Sequence, residues 1–160
     1  MPLHNDLSHK APMRAISLTW QPAGSFHHVG FVVTSIEKSI ESFAAMLRAE
    51  WDEQIFHDTN QGVRIAFLKG AADGDPLWEL VEPADEQSPV QSFAMKGGGL
   101  HHVCYVVEKL EEELTRARSQ GAVIAREPMP AVAFGGRRIA WIYTKNRLLI
   151  EYLERGSNAG

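Results

Sequence analysis

The sequence predicts an α+β fold in which two tandem βαβββ modules form one cupped, mixed sheet with the helices outside. The first observation behind this prediction is a repeat, because His27-His28-Val29 recurs 74 residues later as His101-His102-Val103. The second is that Arg64-Ile65-Ala66 recurs at the same offset as Arg138-Ile139-Ala140. The third is that each half shows strand-like alternation followed by helix-like periodicity. One half of the chain is therefore a diverged copy of the other.

The first module is expected to span residues 26–83 and to begin with a strand from Phe26 to Val33. The period of two along a strand places His28 on one face and His27 on the other. Thr34-Ser35-Ile36-Glu37 has the spacing of a capping box, so a helix of about three turns should begin there. The module therefore starts with a strand followed by a helix.

Three further strands complete the first module, to judge from its apolar runs and turn residues. We expect them at residues 50–56, 63–68 and 77–81. The segment 84–99 contains Pro89 and ends in three consecutive glycines. This composition is typical of a connection between modules rather than of a strand or helix.

The second module is expected to span residues 100–154 and to repeat this order of elements. A strand over residues 100–107 precedes a Glu-rich helix, which Gly121 should end. Residues 1–25 lie outside the repeat and are expected to form a flexible arm or an added edge strand, and residues 155–160 a tail. The remaining strands of the module are expected at residues 122–127, 138–143 and 148–153.

The composition favours a protein that acts on a small molecule in the cytoplasm. The formal net charge is −4, and acidic and basic residues are mixed along the chain, so neither a nucleic-acid surface nor a basic membrane patch is predicted. Cys104 is the only cysteine, which excludes an internal disulfide. The pattern of a secretory signal and any apolar run long enough to span a bilayer are both missing from the sequence.

Each half supplies one histidine early and one glutamate late. Glu79 and Glu151 occupy equivalent positions 72 residues apart, each between apolar neighbours in a predicted strand. A buried carboxylate without a partner costs several kcal/mol, and a cation would supply that partner. His28, Glu79, His102 and Glu151 are therefore predicted to bind one divalent metal ion. Imidazole and carboxylate ligands are compatible with Co²⁺, Ni²⁺, Zn²⁺, Mn²⁺ or Fe²⁺.

His27 and His101 are repeated as faithfully as the predicted ligands. Strand alternation points their side chains away from His28 and His102. We therefore expect them to have a structural role or to act outside the ligand shell, for instance by hydrogen bonding across the sheet.

These residues also carry a resemblance to a known family. The chain resembles the vicinal oxygen chelate (glyoxalase/bleomycin resistance/dioxygenase) superfamily, and within it the methylmalonyl-CoA epimerases, over residues 27–154. The superfamily is built from paired βαβββ modules that bind a divalent metal through the first and last strands of each module. The resembling segments are His27-His28-Val29, Trp78-Glu79-Leu80-Val81-Glu82-Pro83, Ser88-Pro89-Val90, Gly99-Leu100-His101-His102-Val103 and Leu149-Ile150-Glu151.

The resemblance implies a function for the predicted ligands. The substrate would be an acyl-CoA thioester whose carboxylate and thioester oxygens chelate the metal. Removal and return of the proton alpha to the thioester carbonyl would pass through a metal-bound enolate and invert the carbon centre. Glu151, as a ligand able to loosen, is the carboxylate expected to serve as one acid or base.

Two segments depart from the epimerase pattern. Some epimerases carry a second carboxylate on the strand equivalent to residues 62–68, whereas this strand has none. The turn at residues 143–147 is also short and lacks a His-Pro pair. A water molecule or another residue would have to replace the second carboxylate.

A second, weaker candidate site lies between two predicted strands of the second module. Gly135, Gly136 and Arg137 offer backbone amides and a guanidinium group to an anion such as a CoA phosphate. An ordinary glycine turn with a solvated arginine explains the same residues.

Other functions of the same fold remain open from the sequence. A glyoxalase I-type lyase acting on a hemithioacetal uses the same ligand types and similar chemistry. A metal-dependent dioxygenase and a metal-free small-molecule-binding protein are further alternatives. Exposed outer strands favour a homodimer.

Overall fold

The strands of the two modules join edge to edge in one mixed sheet of nine strands. The computed structural model describes residues 24–156. Their elements, in chain order, are β1 (Gly24–Val32), α1 (Ile36–Leu47), β2 (Ala49–Trp51), β3 (Phe56–Asp58), β4 (Val63–Gly70), β5 (Leu77–Pro83), α2 (Gln91–Met95), β6 (Gly99–Val107), α3 (Leu110–Ser119), β7 (Val123–Pro130), a 3₁₀ turn (Val132–Phe134), β8 (Arg138–Tyr143) and β9 (Leu149–Glu154).

The order of strands in the sheet follows the repeat. The order is β2-β4-β5-β1-β6-β9-β8-β7, and β3 pairs with β4 beside this path. The first strands of the modules, β1 and β6, are antiparallel neighbours at the centre. Each first strand also pairs in parallel with the last strand of its own module, β1 with β5 and β6 with β9. The predicted fold of two modules in one mixed sheet is therefore confirmed.

The two longer helices cover the outside of the sheet with apolar side chains spaced three and four residues apart. Both helices bury one face in a separate core, and burial of apolar surface is the main stabilising contribution there. The core under α1 consists of Val33, Ile36, Ile40, Ala49, Ala66, Leu68 and Leu80. The core under α3 consists of Val107, Leu110, Leu114, Ala117, Ala140, Ile142 and Tyr152.

Helix α1 begins one residue later than the predicted capping box. The N-cap is Ser35, whose side chain accepts a hydrogen bond from the backbone N–H of Lys38 at 3.4 Å. The prediction from Thr34 was wrong, because two adjacent hydroxyl residues offer the same capping chemistry and the backbone selects one. The helix ends at Leu47, and the following cap residue Arg48 adopts a left-handed conformation with φ of 50°.

Several boundaries differ from the sequence-based expectations. The single strand predicted over residues 50–56 is two short strands, β2 and β3, separated by a loop in which Glu53 has a φ of 63°. The connection 84–99 contains the short helix α2. Strand β1 begins at Gly24, so the last two residues of the predicted arm belong to the sheet. The rest of the arm and residues 157–160 lie outside the described residues.

The repeat at Arg64 and Arg138 corresponds to a repeated pair of ionic networks. Arg64 lies 2.9 Å from Glu82, and Arg138 lies 2.6 Å from Glu154, in both cases between nitrogen and carboxylate oxygen. Each arginine also pairs with a glutamate in the first turn of the helix of its module. The networks are Glu37–Arg64–Glu82 and Glu111–Arg138–Glu154. They fix each helix to its strands in the same way.

A buried carboxylate connects the modules at a second place, away from the central strands. Asp58 is 1% exposed and accepts hydrogen bonds from the backbone N–H of Gln61 at 3.0 Å and of Val132 at 2.9 Å. Asn60 adds a bond from its side-chain amide to the carbonyl of Pro130 at 3.3 Å. These contacts hold β3 against the 3₁₀ turn of the second module.

Within residues 24–156, no helix combines the length and the apolar character needed to cross a lipid bilayer.

Candidate metal centre

Two rows of paired residues place the predicted ligands on one face of the sheet. In the first row, Gly30 of β1 lies between Glu79 of β5 and His102 of β6. Glycine is required at this position, because a Cβ atom there would lie 2.0 Å from Cε1 of His102. The space that Gly30 leaves is therefore filled by the imidazole ring of His102.

The second row repeats the first with the roles of the two modules exchanged. Cys104 of β6 lies between His28 of β1 and Glu151 of β9. Burial raises the pKa of the Cys104 thiol, and the neighbouring Glu151 carboxylate raises it further. Cys104 is therefore a neutral, fully buried thiol beneath the site.

The two rows bring four donor atoms into one buried cluster. Nε2 of His28 lies 3.1 Å from Nε2 of His102, 3.4 Å from Oε2 of Glu79 and 3.2 Å from Oε2 of Glu151. Nε2 of His102 lies 3.1 Å from the same oxygen of Glu79. All four residues are at most 3% exposed. The structure thus brings together the four residues that the sequence analysis selected.

The spacing and chemistry of these atoms fit a divalent metal ion. Two ligand atoms at about 2.1 Å from one ion, at angles of about 90–110°, are about 3.0–3.4 Å apart. The four spacings given above fall in this range. The donor atoms that all lie within 4.8 Å of one another are those of His28, Glu79 and His102, and Glu151 approaches this group beside His28. Oε2 of Glu151 is buried and faces Nε2 of His28 at 3.2 Å, so either a protonated His28 or a metal ion at this point offsets the cost of burying its charge.

Without a metal, a proton on His28 balances the cluster. Burial lowers the pKa of His28, but the carboxylates of Glu79 and Glu151 outweigh it and raise the pKa to about 10. Burial raises the pKa of Glu79, and His28 and His102 outweigh it and hold that pKa well below its usual range. A metal ion must therefore displace a proton from His28 when it binds.

Strand alternation predicted that His27 and His101 point away from the ligand histidines. This prediction was wrong, because both side chains contact them. The pairing of β1 with β6 skips both residues, so each forms a β-bulge. A bulge re-aims the side chain of the extra residue. Nδ1 of His27 consequently lies 2.8 Å from Nδ1 of His28, and Nδ1 of His101 lies 3.0 Å from Nδ1 of His102.

Burial lowers the pKa of both outer histidines, and the adjacent ligand histidine lowers it further. The pKa of His27 and that of His101 are each about 4. Both imidazoles are therefore neutral near pH 7, with one nitrogen able to accept a hydrogen bond.

Aromatic side chains hold the ligand rings in place. The ring of Trp141 meets the ring of His102 edge to face at a centroid distance of 4.7 Å. The ring of His28 contacts the rings of Phe67 and Phe134, at centroid distances of 5.8 Å and 5.9 Å. These contacts restrict rotation of the imidazoles and orient Nε2 toward the cluster.

The cluster opens into a cavity of about 230 Å³. Glu79, His102 and Glu151 contribute to its wall. Most of the surface of the wall is apolar. Apolar wall residues include Val63, Ile65, Val81, Val90, Trp141 and Leu149, and the other polar residues of the wall are Gln61, His101, Arg126 and Tyr143.

The weaker anion-site candidates lie elsewhere. Gly135 and Gly136 form the turn after the 3₁₀ segment, with φ of 64° and 81°. The Arg137 guanidinium lies 5.7 Å from the ring centre of Phe134 and donates a hydrogen bond to its carbonyl. None of the three borders the cavity, as far as residues 24–156 define it.

The cationic group at the cavity is Arg126, which the sequence analysis did not select. Its strand, β7, pairs irregularly with β8, with register shifts on both sides of Arg126. An irregular strand gives no reliable alternation, so no signal in the sequence distinguished this arginine from other surface arginines.

Comparison with known proteins agrees with the fold. The chain is 27% identical over 132 residues to the ethylmalonyl-CoA/methylmalonyl-CoA epimerase of Cereibacter sphaeroides, covering 80% of this chain and 96% of that one. It is 34% identical over 136 residues to the uncharacterized protein YqjC of Bacillus subtilis, covering 79% and 89%.

A solved structure and a family model extend the comparison. The methylmalonyl-CoA epimerase of Mycobacterium tuberculosis superposes with a TM-score of 0.70 at 29% identity, covering 82% of this chain and 88% of that one. Residues 27–141 match the family model of the glyoxalase superfamily. By this match, the chain belongs to the Glyoxalase/Bleomycin resistance protein/Dioxygenase superfamily.

Proposed function

We propose that this protein is a divalent-metal-dependent epimerase that moves a proton alpha to the carbonyl of an acyl-CoA thioester such as methylmalonyl-CoA. The observation that carries the proposal is the buried cluster of two imidazole nitrogens and two carboxylate oxygens at the wall of an apolar cavity. The named epimerases among the relatives support the substrate class.

His28, Glu79, His102 and Glu151 would hold the metal. When bound, the metal supplies a Lewis acid that polarises a carbonyl and lowers the energy of the enolate formed by proton loss. The aromatic contacts to His28 and His102 orient these ligands in advance. Substrate therefore meets a site that needs little rearrangement.

Glu151 is the residue that we assign to proton transfer. Its Oε2 atom is buried and lacks a hydrogen bond within the described residues, and its side chain borders the cavity. Glu151 would take the alpha proton on one face of the substrate.

Strand β4 supplies no carboxylate to the cavity. Val63 and Ile65 of β4 border the cavity where the epimerase pattern has an acid on this strand. The return proton would therefore come from water or from His101, which also borders the cavity. Inversion of the carbon centre requires such a second donor, whereas exchange of the proton with solvent requires Glu151 alone.

The remaining cavity groups suit a small, anionic acyl part. A volume of about 230 Å³ holds a short acyl chain and excludes the bulk of coenzyme A. Arg126 would attract a carboxylate or a phosphate to the cavity. Gly135, Gly136 and Arg137 stay a separate prediction for a CoA phosphate, to be tested by substitution of Arg137.

The missing second carboxylate also favours one competing function. A glyoxalase I-type lyase acting on a hemithioacetal needs the same four ligands, and a substrate that is reprotonated by water needs no acid on β4. We keep this lyase as the second candidate.

One exchange experiment tests the proposal. Proton NMR of methylmalonyl-CoA in D₂O with the Co²⁺-loaded protein should show loss of the C2 proton well above background. Glu151→Gln should abolish the exchange, whereas Glu154→Gln, three residues away in a surface ion pair, should retain it. The bound metal is measured in each variant, so that loss of the base is separated from loss of the metal.

The results of the exchange experiment distinguish the epimerase from the lyase and test the role of Glu151. If the wild-type protein binds metal but gives no exchange, methylmalonyl-CoA is not its substrate and the lyase becomes the leading candidate. If Glu151→Gln retains metal and exchange, the role of Glu151 in proton transfer is wrong.

A cytoplasmic location and a homodimer also stay predictions. Strands β2 and β7 end the sheet, and their unpaired edges are surfaces where a second copy could add strands. Light scattering after size exclusion should give about twice the chain mass of 17.8 kDa. A mass of one chain would contradict the dimer.

A further inference from the structure

The bulged histidines His27 and His101 are the feature that the proposed function leaves unused. Two features of the structure set them apart from ordinary strand residues. Each is the extra residue of a β-bulge, and each immediately precedes a ligand histidine. The same arrangement occurs in both modules, which makes a chance contact at one of them a poor explanation.

In each ligand histidine, Nε2 faces the cluster, so Nδ1 is the nitrogen that remains for a hydrogen bond. His28 and His102 direct Nε2 toward the cluster. Their Nδ1 atoms face Nδ1 of His27 at 2.8 Å and Nδ1 of His101 at 3.0 Å. If Nε2 of a ligand is to bind a metal, its proton must sit on Nδ1.

The proton arrangement follows from this geometry. Two nitrogens at such a distance share one hydrogen, so the ligand histidine donates through Nδ1–H and the outer histidine accepts through a bare Nδ1. The outer histidine must then carry its own proton on Nε2. Only this combination of tautomers satisfies both rings and leaves a lone pair for the metal.

We propose that His27 and His101 are positioning residues that fix the Nδ1–H tautomer and ring orientation of His28 and His102, and thereby set the metal affinity of the site. This inference rests on the metal site of the proposed function. Carboxylates and backbone carbonyls are the usual acceptors for ligand histidines. Here the acceptor is a neutral imidazole, and two bulges place it.

His27 offers the cleaner test of the two. Its ring packs against Phe134 at a centroid distance of 5.6 Å, and it is not part of the cavity wall. His101 does border the cavity, so a change there could act on substrate directly. An effect of a His27 substitution on the metal has no such second explanation.

Two substitutions separate the hydrogen bond from packing. His27→Asn keeps an acceptor oxygen close to the position of Nδ1, whereas His27→Leu keeps comparable bulk without any acceptor. Zn²⁺ affinity is measured for each full-length variant by competition with a chromophoric chelator. We expect a loss of about 10–100-fold for His27→Leu, and recovery of most of it in His27→Asn.

Nitrogen-15 NMR of the Zn²⁺-loaded wild-type protein supplies a readout of the tautomers themselves. His28 and His102 should each show a protonated Nδ1 and a metal-bound Nε2, and His27 and His101 a protonated Nε2. In His27→Leu the Nδ1–H signal of His28 should shift or broaden by exchange. Circular dichroism and thermal melts confirm that both variants are folded.

The Zn²⁺ affinities of the two variants test the positioning role of His27. Equal Zn²⁺ affinity of the wild type and a folded His27→Leu overturns the positioning role and leaves the metal site intact. Equal losses in His27→Leu and His27→Asn also overturn it, because packing alone would then matter.

Metal counting covers the remaining alternatives. His27, His28 and Cys104 also place one donor atom each within 4.8 Å of one another, so a second ion could bridge there. Two ions per wild-type chain would overturn the hydrogen-bond assignment. No bound metal in the wild type would instead overturn the proposed function, and this inference with it.

Discussion

The replacement Gly30→Ala tests how closely the central strands must approach at the metal site. A Cβ atom on residue 30 would lie 2.0 Å from Cε1, 2.3 Å from Nδ1 and 2.5 Å from Nε2 of His102. Non-bonded carbon atoms rest about 3.5–4.0 Å apart. The imidazole must therefore move by at least about 1.5 Å to relieve the contact with Cε1.

A shift of this size removes His102 from the cluster. Metal–ligand distances tolerate deviations of only about 0.2 Å. Even the loss of a hydrogen bond to a ligand lowers metal affinity by about 10–100-fold. Loss of the ligand itself should therefore weaken Zn²⁺ or Co²⁺ binding by at least about 100-fold.

The assay is a competition titration with a chromophoric chelator, with thermal melts to compare the folds. Cys104→Ala is the matched control, because Cys104 holds the equivalent position beside His28. It removes a side-chain atom without adding one and should retain close to wild-type affinity. Wild-type metal affinity in a folded Gly30→Ala would show that His102 is not a ligand in the position seen here, since the ring cannot stay there once a Cβ atom is added.

Three further outcomes follow from the structure. Because the pKa of His28 is raised to about 10 without metal, metal binding at pH 7.5 should release about one proton. Affinity should rise with pH toward 10. Calorimetry in buffers of different ionisation enthalpy measures this release, and binding without it would contradict the charge balance of the site. Asp58→Ala should lower the free energy of unfolding by about 2–4 kcal/mol, because the backbone N–H of Val132 loses its acceptor; urea unfolding showing less than about 0.5 kcal/mol would contradict it. Free metal at a hundred times its Kd should stabilise the fold by about 2.7 kcal/mol, and a chelator should reverse this in a thermal melt.

The four proposed ligands were predictable because two independent patterns agree on them. Strand alternation selects the buried face that contains His28, and the repeat transfers that choice to His102. Glu79 and Glu151 stood out as acidic residues in apolar strands. The register of the strands is not readable from the sequence. In the structure it pairs Glu79 with Gly30 and Glu151 with Cys104, two small residues that leave room for the histidine rings.

The outer histidines show where pattern reasoning ends. A β-bulge adds one residue to one strand, so the alternation of side chains between the two faces fails there. No residue type in His27-His28-Val29 indicates a bulge. The strand pairing that reveals the bulge is a long-range property. Arg126 was missed for a related reason, because its strand has two register shifts.

The central claim is that one metal ion is held by His28, Glu79, His102 and Glu151. The most direct test is a crystal structure of the Co²⁺-loaded protein with anomalous diffraction at the cobalt edge. We expect one anomalous peak per chain, within about 2.0–2.2 Å of a donor atom from each of the four residues. A peak elsewhere, or no peak in crystals grown with stoichiometric cobalt, would contradict it.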